Sequence, residues 1–136
     1  MLGENALILV VVLGGALTVA AIVKAIVTKT AARGARSFVR EGDTRSKLVY
    51  FWTPSCAVCR STQGRIVDEV AQEFGDSAEV IKINAHDEPE QARAFGVMTV
   101  PTIVVLSPDG AVHTVNTGVV DRDTLATQLR ASRKAA

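Results

Sequence analysis

The chain is poor in cysteine, with only Cys56 and Cys59 among its 136 residues. Two cysteines cannot build the disulfide framework of a small secreted scaffold, so their role is local. Histidine is as scarce, and His86 and His113 lack the spacing of a metal-ligand pair. Basic charge is in no excess, with 15 Lys/Arg against 14 Asp/Glu and a net charge of +1. That balance argues against an electrostatic nucleic-acid binder. Repeats and low-complexity segments are missing, and between Ala6 and Val23 there is no charge at all.

This uncharged run, continued past Lys24 by Ala25–Val27, is long enough to cross a bilayer as a helix, with Lys24 snorkelling to the interface. A cleaved signal peptide is the rival reading. It is disfavoured because Met1–Asn5 carries Glu4 and no basic residue, and no small-x-small cleavage site follows. The sequence therefore divides into a short N-terminal tail (1–5), a transmembrane helix (6–27), a basic tether (28–46) and a domain (47–136) with room for its own core. Lys24, Lys29, Arg33, Arg36, Arg40, Arg45 and Lys47 all lie on the C-terminal side, Lys24 within the last turn of the span, and none lies before the helix. The positive-inside rule then places the domain of this single-pass membrane protein in the cytoplasm, with an outward-facing domain as the alternative. The same cations suit anionic headgroups. Small residues and arginine give the tether its character, with a short edge strand at Ser37–Val39.

Lys47–Arg60 carries the chemistry. Leu48–Trp52 is an unbroken run of β-formers and aromatics, the pattern of a strand buried on both faces. Thr53-Pro54-Ser55 breaks it, and helical spacing begins at Cys56 and continues through Ile66, Val67, Val70 and Phe74 to Gly75. The two sulfurs thus fall at i and i+3 in the first turn of a helix, close enough to bond. The free N–H groups of that turn favour the Cys56 thiolate, with Ser55 or the preceding turn as cap and Arg60 as a nearby cation. Bound Cu(I) or zinc, or a non-catalytic redox sensor, are the competing uses of such a pair.

With Phe51-Trp52-(x)3-Cys56-(x)2-Cys59, Ile83-Asn84, Val97-(x)2-Val100-Pro101-Thr102 and Gly118 before a last helix, the stretch from Leu48 to Arg133 resembles the thioredoxin family. The resemblance implies an α/β fold, a thioredoxin-like mixed sheet with flanking helices. It also implies a cis Val100–Pro101 bond facing the cysteines. Cys56 would attack a protein or small-molecule disulfide, and Cys59 would resolve the mixed disulfide. Trp52 would pack beneath the turn, and Val100 and Pro101 would hold substrate. A thiol electron donor would recharge the pair, and no metal or other cofactor is called for. Two departures bear on mechanism. Tyr50 stands where the family often has a buried acid that deprotonates the second thiol, which leaves Lys82 or water as candidates. Ala57-Val58 between the cysteines brings neither charge nor imidazole.

The remaining chain is legible by punctuation. Glu79–Asn84 is strand-like, Asp87 a candidate N-cap, Pro89 a first-turn proline, and Ala92–Phe95 a short helix closing at Gly96. Ser107-Pro108-Asp109-Gly110 joins Thr102–Leu106 to a return strand at Ala111–Asn116. Asp121 caps a last helix that turns Leu125 and Leu129 to the sheet.

Overall fold

The computed structural model describes residues 2–135. Helix α1 (Leu2–Ala35) leads through a 3-10 turn (Arg36–Phe38) to strand β1 (Ser46–Trp52). A π turn (Cys59–Gln63) runs into α2 (Gly64–Phe74), followed by β2 (Ala78–Asn84), α3 (Pro89–Ala94), β3 (Thr102–Leu106), β4 (Val112–Thr117) and α4 (Arg122–Lys134). The sheet order is β2-β1-β3-β4, with β1 parallel to β2 and antiparallel to β3, and β4 antiparallel to β3 at the edge.

β1 is central, and its side chains alternate between two cores as a strand requires. Leu48 and Tyr50 join Ile103 and Val105 beneath α2 and α4, together with Val67, Val70, Leu125 and Leu129. Val49 and Phe51 join Val104, Leu106 and Phe95 on the other face, where Ala31 and Ala35 close the layer. A continuous apolar run was the correct signature, because both faces of this strand are covered.

The segment 28–46 departs from an extended tether. α1 runs unbroken to Ala35, and Ala31 and Ala35 are fully buried in the second core. Ser37–Val39 forms no strand, since Arg36–Phe38 continues the helix as a 3-10 turn. The physical reason is close packing. A Cβ on Gly34 would fall 2.3 Å from the Phe95 ring, so the glycine lets the helix backbone lie against that ring. Phe38 and Phe51 stack at 5.7 and 5.2 Å from Phe95. Ahead of this docked end, α1 carries its apolar side chains exposed from Leu7 to Val27, and it is long and apolar enough to cross a membrane.

Smaller differences are local. Glu88, not Asp87, stands at the N-cap of α3, because Asp87 is taken up by the Asn84 side chain. The return strand lies one residue later than expected, at Val112–Thr117. Asp121 does cap α4, accepting from the hydroxyl and backbone N–H of Thr124, which hold its carboxyl below the usual range.

Candidate active site

β1 delivers the chain to the C-terminal edge of the sheet, and Pro54 and Ser55 turn it into the helix that carries the cysteines. Cys56 and Cys59 are joined as a disulfide, their Cα atoms 5.3 Å apart. Their environments differ. Cys56 is half-buried at the start of the helix, whereas Cys59 is 2% exposed and part of the first core.

The cap of this helix is the sulfur itself. The Cys59 N–H donates to Cys56 Sγ at 3.2 Å, the geometry that an N-cap oxygen would have. Ser55 instead meets the Thr53 hydroxyl at 3.3 Å. An N–H aimed at Cys56 Sγ, at the positive end of a helix, favours the anion over the thiol.

The π turn follows from crowding at the Cys59 carbonyl. That oxygen accepts from Gly64 N–H and from the Tyr50 hydroxyl, the latter at 3.2 Å. A Cβ on Gly64 would sit 2.8 Å from it. Gln63, fully buried, ties the turn to the loop before α4. Its Nε2 donates to the Val120 carbonyl at 3.1 Å, and its Oε1 accepts from Val120 N–H at 2.8 Å. Neither residue announces itself in the sequence. A glycine and a glutamine inside an apolar helical pattern are the only signals.

Val100–Pro101 is cis, and the Val100 carbonyl oxygen lies 3.9 Å from Cys56 Sγ. Trp52 is half-buried and packs against the first core. Met98, on the loop before the proline, is 95% exposed, and a shallow pocket of about 320 Å³ opens between Val97–Val100 and Thr53. Arg60 is exposed at the rim.

A second pocket, of about 300 Å³, lies behind the pair and reaches Cys59, Tyr50 and Trp52. Lys82 lines it, but paired with Asp68 of α2 and not standing alone. Burial, with Asp68 nearby as a smaller cause, pushes the Tyr50 phenol up to about 12. Tyr50 therefore stays protonated and donates throughout the working range. Sequence reading also missed Asp68 in the wall of this pocket: it is a polar position on an amphipathic helix, and only the fold brings it beside Lys82.

Such an arrangement is that of a thiol–disulfide oxidoreductase whose redox group is its own disulfide. The thioredoxin family model matches residues 26–131. The chain is 38% identical over 82 residues to thioredoxin 1 of Synechococcus elongatus, covering 60% of this chain and 75% of that one. It is 33% identical over 90 residues to the thioredoxin of Bacillus subtilis, covering 66% and 85%. A solved structure titled as thioredoxin-2, a component of malaria parasite protein secretion machinery, superposes with a TM-score of 0.60 at 21% identity, covering 64% of this chain and 82% of that one. That last likeness speaks to the fold alone. The chain belongs to the thioredoxin family. The matched stretch begins at residue 26, inside α1, which agrees with the docking of that helix end on the sheet.

Proposed function

We propose that the protein is a membrane-tethered reductase of protein disulfides, held by residues 6–27 with its domain on the cytoplasmic side. The observation that carries this reading is the asymmetry of the pair: a half-exposed sulfur capping a helix, and a buried partner behind it. The Cys56 thiolate attacks one sulfur of the substrate disulfide, and that S–S bond breaks as a substrate thiolate leaves. Cys59, once deprotonated, attacks Cys56 Sγ, the second substrate thiolate departs, and Cys56–Cys59 forms. Two electrons pass to the substrate, and a thiol donor restores the dithiol. Substrate backbone pairs with Val100 beside Pro101 as an added strand, against the face of Trp52.

With Tyr50 fixed as a donor, the Cys59 proton needs another acceptor. The Asp68–Lys82 pair at the far wall of the rear pocket supplies a carboxylate and a compensating charge. Arg60 adds positive charge for the thiolate. Asp68→Asn is expected to slow resolution of a trapped mixed disulfide by roughly 10²-fold, the worth of one general base, while leaving Cys56 alkylation unchanged.

Insulin reduction by the full chain in detergent tests the activity. Cys56→Ser should fall to background, and Cys59→Ser should accumulate a mixed disulfide. Wild-type turnover no faster than Cys56→Ser would instead fit a redox-sensing adaptor. Labelling of Cys56 by a membrane-impermeant thiol reagent, before and after permeabilising cells, reads the topology. Labelling of intact cells would place the domain outside.

A further inference from the structure

The end of the membrane helix and the edge of the sheet are one surface. α1 crosses β4 on the face that carries Val112 and Val115, and between them lies a groove of about 640 Å³. Val23, Lys24 and Val27 of α1 form one wall, and Val112, His113 and Val115 of β4 form the other. The uncharged run from Ala6 to Val23 extends about 27 Å at 1.5 Å per residue, close to the ~30 Å hydrocarbon thickness of a bilayer. That puts Lys24 at headgroup depth. Ala31, the first core residue of the helix, follows only about 10 Å further on. The helix is unbroken between them.

We propose that the edge of β4 rests in the headgroup layer, and that the groove takes the phosphate and glycerol of an anionic phospholipid. This rests on the reading of residues 6–27 as a membrane span. Three observations select that occupant. The groove is continuous with the lipid-facing surface of α1. Lys24 lines the groove; it and, further along the helix, Lys29, Arg33 and Arg36 are exposed, and among the described residues none of the four has an ion-pair partner. As the sheet's last strand, β4 offers outward N–H groups with no strand to accept them, and phosphate oxygens are suitable acceptors.

The test uses the full chain in lipid nanodiscs. In a Trp52→Phe background, a reporter is placed by His113→Trp and, as a control on α2 across the sheet, by Glu69→Trp. Brominated phosphatidylglycerol should quench the His113→Trp reporter several-fold more than the control, and more than brominated phosphatidylcholine does. Lys24→Gln should remove the preference between lipids. Equal quenching of the two reporters overturns the proposal, as does quenching without lipid preference. Quenching relieved as protein density in the disc rises would put a second copy in the groove, and also overturns it. Amide exchange across Val112–Thr117 in the unsubstituted chain provides a reading free of tryptophan replacement, expected to be slower in phosphatidylglycerol than in phosphatidylcholine. Failure to enter discs removes the span itself and overturns the proposal, whereas insulin reduction by the unsubstituted chain in the same discs reports separately on the redox reading.

Discussion

The Tyr50 phenol and the Gly64 amide converge on the carbonyl of Cys59, and a Cβ added to Gly64 would sit 2.8 Å from it. Gly64→Ala forces that carbonyl to move. We expect a loss of about 1–3 kcal/mol, the usual range for overpacking, with a measurable shift in reduction potential by glutathione titration. An unchanged potential would mean that the turn relaxes without disturbing the sulfurs. Gln63→Leu keeps the volume and strands both polar groups of Val120, for an expected cost of about 1–3 kcal/mol in thermal unfolding. The Cys56–Cys59 pairing was legible from residue type and spacing, and the cis Val100–Pro101 bond only through the family resemblance. Gly64, Gln63 and Asp68 were not, because their roles exist only once a π turn, a loop and a neighbouring strand meet.

At the level of elements, periodicity read well wherever one side of an element is buried and the other is wet. α2 and α4 came through with their stripes, Val67, Val70 and Phe74 on one and Leu125 and Leu129 on the other. β1 and β3 were readable as apolar runs because both of their faces are covered. α1 hid its second role, since its exposed and core-facing parts are equally apolar or small, and the boundary between them carries no punctuation. Only Gly34 and the buried alanines mark it. Gly34→Leu should therefore lower the melting temperature by several degrees through its clash with Phe95, whereas the same change at Gly14, which has no neighbour within 4 Å, should not.

For the molecule as a whole, the junction between α1 and β1 is held by charge. Lys47 is 2% exposed, and its ammonium meets Asp43 at 2.8 Å and Glu79 at 3.8 Å. Arg45 and then Lys47, donating to the Asp43 carboxylate, hold its pKa far below the ordinary value. A carboxyl depressed in the fold adds stability above its unfolded pKa of about 3.9. That contribution is lost as pH falls below this value. The thermal midpoint should fall progressively as pH drops below about 4, the unfolded carboxyl pKa, and Asp43→Asn should flatten the drop while lowering the midpoint at neutral pH.

Because Ala31 and Ala35 roof one side of the sheet, the long apolar helix and the core are one continuous piece. A protease cutting the connection between Phe38 and Ser46 would separate that roof from the sheet and lay bare Val49, Phe51 and Phe95. Shedding is thus no route to an intact soluble form. A chain begun at Arg40 should bind hydrophobic dye and melt early, whereas one begun at Thr28 should do neither.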